Sequence, residues 1–140
     1  MKKAEFLAIC LWKSRRPKNL YILNSDDVII DISKKVLKET NEQRRIELLI
    51  TLKGVSIPTA SAILTVIDPK NYAIIDVRCV NALAHLGYID WQTISVKNWI
   101  KYIVLIRDLA SKYGKTSRDI EKGLFAFNRL MLDEEYRNLY

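Results

Sequence analysis

Two features of this 140-residue chain have residue types and spacings that can do chemistry. One is a lone carboxylate, Asp76, at the end of the extended apolar stretch Tyr72-Ala73-Ile74-Ile75. The other is the turn Lys53-Gly54-Val55-Ser56, which follows an apolar run and leads into Ile57-Pro58-Thr59-Ala60. A glycine turn followed by proline and small residues reads as two helices joined by a tight hairpin. Such a hairpin turns backbone N–H groups outward at the start of its second helix, where they can hold a phosphate. Lys53 lies beside them. Asp76 is placed to point into a cleft, and the same residue type at a helix start is an ordinary cap. The two roles are compatible. Arg78, two residues on, reads as a phosphate contact or a structural ion pair.

A further cluster, Trp12-Lys13-Ser14-Arg15-Arg16-Pro17-Lys18, sets four basic groups beside an aromatic ring. Lys13, Arg15 and Arg16 can contact phosphates while Trp12 stacks on a base. The competing reading puts Trp12 in the core, with the basic groups complementing a helix C-terminus, and it is preferred here. With one histidine (His85) and two distant cysteines (Cys10 and Cys79), a zinc or iron–sulfur site has no ligand set to draw on. Both cysteines sit among apolar residues and read as buried free thiols.

The net charge of +7 is unevenly spread: residues 1–53 carry +5, residues 54–95 carry −1 and residues 96–140 carry +3. Basic flanks around a near-neutral centre suit a polyanion whose reacting part enters a less charged pocket. The alternative is a basic surface kept for solubility. No apolar run approaches the roughly 20 residues that span a bilayer, and the N-terminus lacks the pattern of a signal peptide. An intracellular, cytoplasmic or nucleoid-associated protein is expected.

The elements that must position these groups are helices. Only 4 Gly and 3 Pro punctuate the chain, against the many turns of a sandwich or barrel. A first helix runs from Ala4 to about Arg15, with Pro17 as its stop. Asn24 or Ser25 caps a second, whose stripe is Ile29, Ile32 and Val36. Thr40-Asn41-Glu42-Gln43 reads as a capping box opening a third, which ends at the hairpin. A fourth spans Pro58 to about Ile67, and a fifth runs from Asp76 to Gly87. Val96, Trp99, Ile100, Ile103, Arg107 and Ala110 give a sixth the clearest period in the chain. A capping box at Thr116–Asp119 introduces a seventh carrying Ile120, Leu124, Phe127 and Met131. The expected fold is all-α: a compact bundle of six or seven helices forming a single domain, 1–140. Tyr72 and Trp91 are placed at the border of the cleft by position alone, His85 on a helix surface or in packing, and most of Trp99, Phe125 and Phe127 in the core.

These residues resemble a family. Leu52 to Ala60 is similar to the helix–hairpin–helix of the DNA glycosylase superfamily, which includes endonuclease III, adenine glycosylase and 8-oxoguanine glycosylase. Ile75-Asp76-Val77-Arg78 resembles the extended Val-Asp and helix that follow it, and 18 residues separate Pro58 from Asp76 as in the family. Lys122-Gly123-Leu124-Phe125-Ala126-Phe127 is similar to the last core helix of 8-oxoguanine glycosylase-like proteins. The strong part of the match covers residues 46–87.

The resemblance implies a hairpin that grips the DNA backbone through Gly54, Val55, Ser56 and Thr59, a nucleotide flipped into a pocket, and Asp76 as the catalytic carboxylate. It allows a structural monovalent cation at the hairpin, held by main-chain carbonyls, with no metal in the chemistry. The expected partner is duplex DNA, with no membrane. Pro58 occupies the place where bifunctional members carry a Schiff-base lysine, so lyase chemistry by that route is excluded. Ser56 stands where the family has a second hairpin glycine, and must take φ > 0 or reshape the turn. A monofunctional DNA glycosylase is expected, with a non-catalytic DNA- or protein-binding module as the alternative.

Overall fold

The computed structural model describes residues 1–132, so residues 133–140 of the expected domain lie outside the described residues. The fold is all-α, with eight helices and no strand among the described residues. One more helix is present than the periodicity predicts. The first, α1 (Lys3–Lys13), buries Phe6 and Cys10 and ends at Ser14, whose backbone is extended. Pro17 does not stop it; proline instead opens the short α2 (Lys18–Tyr21). Four residues show no period, and this helix exists because Tyr21 is fully buried against Phe6, edge to face.

The next helix, α3 (Asp26–Lys38), is capped by Ser25, whose hydroxyl accepts the Val28 N–H, and it buries Ile29, Ile32 and Val36 as expected. In α4 (Glu42–Leu49) the cap is Asn41 and not the expected Thr40 box. Asn41 Oδ1 accepts from the Arg44 N–H, while Gln43 bonds Glu47 one turn on. The hairpin leads into α5 (Ile57–Ile67), whose small residues Thr59, Ala60, Ser61 and Ala62 are all buried where α5 packs on α1 and α4.

Asp76 caps α6 (Val77–His85), and the chain turns at Gly87 with φ +83°. The long α7 (Val96–Tyr113) buries Trp99, Tyr102, Ile103 and Ile106 and ends on left-handed Gly114. The predicted capping box, Thr116 with Asp119, opens α8 (Ser117–Phe127). Beyond it a π-helical stretch, Asn128–Leu132, adds a residue per turn and rotates the apolar face. Met131, expected on the stripe, is therefore exposed. Phe125 and Phe127 are half-buried rather than core. His85 lies exposed on its helix.

Both cysteines are buried free thiols, as the sequence predicts. Burial pushes the Cys10 thiol up to about 12, and Cys79 is pushed higher still, so neither is a ready nucleophile. No described helix is long and apolar enough to cross a membrane.

The connector Tyr72–Ile75 deserves its own account, because an extended segment outside a sheet must find partners for its backbone. Here side chains supply them. The Ile74 N–H donates to Glu121 Oε1 at 2.8 Å, and the Ile74 carbonyl accepts from the Tyr102 hydroxyl at 2.7 Å. The Ile75 N–H donates to Ser61 Oγ at 3.0 Å. Three helices, α5, α7 and α8, thus hold one buried strand-like segment and deliver Asp76 at its end. Tyr72 does not border the cleft as expected. It stacks on Trp99, donates its hydroxyl to Glu42 and lies beneath the guanidinium groups of Arg45 and Arg107.

Candidate functional site

Asp76 opens onto a cleft of about 370 Å³ between the end of α1, the connector and α8. Trp12 and Lys13 come from α1, Ile74 and Asp76 from the connector, and Arg118, Glu121, Lys122 and Phe125 from α8. The four residues of α8 fall at i, i+3, i+4 and i+7, one face of the helix. Its first turn is tied down by two backbone bonds, Ser117 N–H to the Lys70 carbonyl and Arg118 N–H to the Pro69 carbonyl. The wall opposite Asp76 is therefore fixed to the turn that precedes the connector.

Asp76 Oδ1 accepts from the Cys79 N–H at 2.9 Å, so its capping role is real. The cap uses one of two carboxylate oxygens, and the side chain is only half-buried. Glu121 is the second carboxylate of the cleft and is 5% exposed. Burial pushes its carboxyl above the ordinary glutamate value, against the opposing pull of Arg118 and the Ile74 N–H. Arg118 pairs with Glu121 and lies over the Trp12 ring at 5.7 Å. Three cations, Lys13, Arg118 and Lys122, face two carboxylates, leaving the cleft slightly positive.

Trp12 is 60% exposed, which overturns its preferred placement in the core. With Arg118 over one face, the exposed part of the ring at the mouth of the cleft can stack on a planar ligand. Trp91 does not border this cleft; it lines a separate hollow with Gly87, Tyr88, Lys101 and Leu105. Arg78 lies over the Phe125 ring and reaches Asn128.

The hairpin has one strained requirement. Gly54 takes φ +82°, and a Cβ there would stand 2.9 Å from Tyr21 Cδ1 and 3.0 Å from Leu20 Cβ. Only glycine meets both conditions. Ser56 reshapes the turn instead of straining it: its φ of −89° and ψ of 174° are extended, and it is the N-cap of α5 with no side-chain cap bond. The first N–H groups of α5 therefore receive no side-chain cap from Ser56. Val55 and Thr59 are buried, so these two predicted contacts can meet a ligand through backbone groups alone. Lys53 is exposed, with its backbone clamped by Asn24, which donates to the Lys53 carbonyl at 3.1 Å and accepts from its N–H at 2.9 Å. The Leu52 carbonyl accepts from the Val55 N–H, so these two carbonyls are held by protein donors. Arg15 and Arg16 are exposed between α1 and α2.

The hairpin and the cleft share α5. Ser61, which receives the Ile75 N–H, donates to the Pro58 carbonyl at 2.6 Å. Sequence reasoning found Asp76, Lys13 and the hairpin but missed Arg118, Glu121, Lys122 and Asn24. The Thr116 capping box fixes the phase of α8 and could have grouped its four cleft residues; nothing in the sequence signals the Asn24 clamp.

Compared with protein-family models, with curated proteins and with solved structures, the chain matches none of them.

Proposed function

We propose that this chain binds duplex DNA through the hairpin and the basic residues near it, and removes a base by hydrolysing an N-glycosidic bond. The observation that carries this reading is the position of Asp76: a half-buried carboxylate at the mouth of a ligand-sized cleft whose rim is an exposed tryptophan. A base extruded from the duplex enters between Trp12 and Phe125 and stacks on the exposed indole. As the bond to the sugar breaks, positive charge develops on the sugar, and a fixed carboxylate nearby stabilises it electrostatically. Asp76 also orients the attacking water. Its fixed position comes from the three hydrogen bonds that anchor the connector and from its own cap bond. Pro58 offers no amine at the position where bifunctional relatives carry their Schiff-base lysine, so strand cleavage by that route is excluded.

The reading is supported by the resemblance of residues 46–87 to the helix–hairpin–helix glycosylases. A second reading, a DNA-binding module without catalysis, draws on the use of Asp76 as a helix cap, which alone explains an aspartate there. Labelled duplexes carrying uracil, 8-oxoguanine, alkylated adenine or a mismatch separate the two. Wild type is expected to give breaks at one of these bases only after hot alkali, and Asp76→Asn to give none. Asparagine caps a helix as well as aspartate does, so Asp76→Asn is expected to change stability by less than about 0.5 kcal/mol. Full activity in that variant removes Asp76 from the chemistry. Binding without cleavage on every duplex favours the second reading.

A further inference from the structure

Both aromatic rings of the cleft already carry a cation. The Arg118 guanidinium lies over the Trp12 ring at 5.7 Å, and the Arg78 guanidinium lies over the Phe125 ring at the same distance. Both arginines are tethered. Arg118 pairs with Glu121, whose Oε1 also accepts the Ile74 N–H at 2.8 Å. Arg78 donates to Asn128 Oδ1 at 3.4 Å. Glu121 and Asn128 are each 5% exposed, so both guanidinium groups are anchored to partners in the packed interior.

This arrangement decides what charge the cleft accepts. An aromatic face attracts a cation through its quadrupole, and here the protein's own guanidinium groups take up that attraction. Lys13 and Lys122 add two ammonium groups to the walls. The carboxylates are largely committed: Glu121 to Arg118 and the connector, and one oxygen of Asp76 to the Cys79 N–H. A positively charged base would meet like charge from both α1 and α8 and would compete with the guanidinium groups for the rings. A neutral base meets no such penalty, and carbonyl oxygens on its edge can accept from the cationic donors of the walls.

We infer that the cleft is a charge filter set by Arg118, which turns away cationic bases and admits neutral bases with a carbonyl edge. The inference rests on the base-extruding reading above and narrows the substrate class of the same site. Arg118 is the deciding residue because it acts twice. It covers Trp12 with positive charge, and it neutralises Glu121, the buried acid that would otherwise draw a cation in.

The test compares two short duplexes that differ at one central nucleotide, 3-methylcytosine in one and 3-methyluracil in the other. The methyl group blocks pairing in both, so both bases leave the stack at similar cost. At neutral pH 3-methylcytosine is cationic, whereas 3-methyluracil is neutral and has a carbonyl in place of the amino group. Each competes with a labelled unmodified duplex for the full chain. Wild type is expected to prefer 3-methyluracil by about tenfold, the order of one like-charge contact at a partly screened site. Arg118→Gln removes the charge but keeps a donor for Glu121, and it is expected to erase the preference, while Arg118→Lys keeps most of it. Lys122→Gln, at an exposed position where the fold is not at stake, is expected to narrow the preference in the same direction. The extra positive charge on one duplex is common to all the proteins and cancels when they are compared. Circular dichroism of each variant accompanies the titrations. An equal or reversed preference in wild type overturns the filter, as does an unchanged preference in the folded glutamine variants; tighter binding of both methylated duplexes than of the unmodified one then leaves extrusion standing. Wild type that binds all three duplexes alike holds no extruded base in the cleft, and that result removes extrusion and filter together.

Discussion

Replacing Gly54 with alanine tests whether the hairpin is held by steric fit against α2 or by its sequence alone. Two penalties combine at this position. An L-residue at φ +82° costs about 1–2 kcal/mol in the left-handed region. The added Cβ would also stand 2.9 Å from the ring of Tyr21, which is fully buried and cannot swing away. Overpacking of that kind costs about 1–3 kcal/mol, so the total is about 2–5 kcal/mol. Gly87→Ala is the matched control, because Gly87 has φ +83° and nothing within 4 Å of its missing Cβ. It pays the backbone term alone, about 1–2 kcal/mol. At about 2.1 cal/mol/K per residue over the chain, 1 kcal/mol corresponds to about 3 °C in Tm. Gly54→Ala is then expected to lower the melting temperature by about 7–17 °C and Gly87→Ala by about 3–7 °C. Urea denaturation of both variants beside wild type gives the free energies directly. Equal losses at the two positions would refute the argument, since they would show that the Tyr21 contact adds nothing.

Three further perturbations probe the supports of the site. Asn24→Ala removes the clamp on Lys53 from a buried position and is expected to cost about 2–4 kcal/mol, with faster amide exchange at Lys53 as the local readout. Ser61→Ala leaves the buried Ile75 N–H without its acceptor and is expected to cost about 1–3 kcal/mol by urea denaturation; a neutral result would mean that the connector is held elsewhere. Glu121→Gln probes the pH dependence of the fold. The folded-state carboxyl of Glu121 lies above its unfolded value, so the fold favours its protonated form. That contribution is fully present below the unfolded value and is lost as pH rises through the raised folded value. Wild type is therefore expected to lose stability relative to Glu121→Gln as pH rises from the ordinary glutamate range through the raised folded value, and parallel pH profiles of the two would contradict it.

The parts of the fold legible in sequence are those set by local rules. Ser25, Asp76 and the Thr116–Asp119 box cap helices because their side chains reach backbone N–H groups within the same turn. The stripe of α7 follows from periodicity over 18 residues. What stayed hidden depends on distant partners. The short helix α2 has no period of its own and forms around the burial of Tyr21 against Phe6. Trp12 reads as core from its type, yet it ends a helix whose buried face is carried by Phe6 and Cys10. Tyr72 reads as a cleft residue from its nearness to Asp76, but alternation along an extended segment does not say which helix lies on which side. Glu121 is the plainest case: a glutamate between Ile120 and Lys122 reads as solvated, and its burial comes from an N–H 47 residues away. Of the cleft itself, the carboxylate of Asp76 is readable in the sequence, and the α8 wall that faces it is not.

The central claim is that Asp76 drives the release of a free base from DNA, and the most direct measurement is the released base itself. Duplexes carrying each candidate lesion are incubated with wild type or Asp76→Asn, the DNA is removed by filtration, and the filtrate is quantified by mass spectrometry. Wild type is expected to release one base in amounts that grow with time, while Asp76→Asn, folded and bound to the same duplex, releases none. Equal release by both proteins, or none by wild type from any duplex that it binds, would contradict the account.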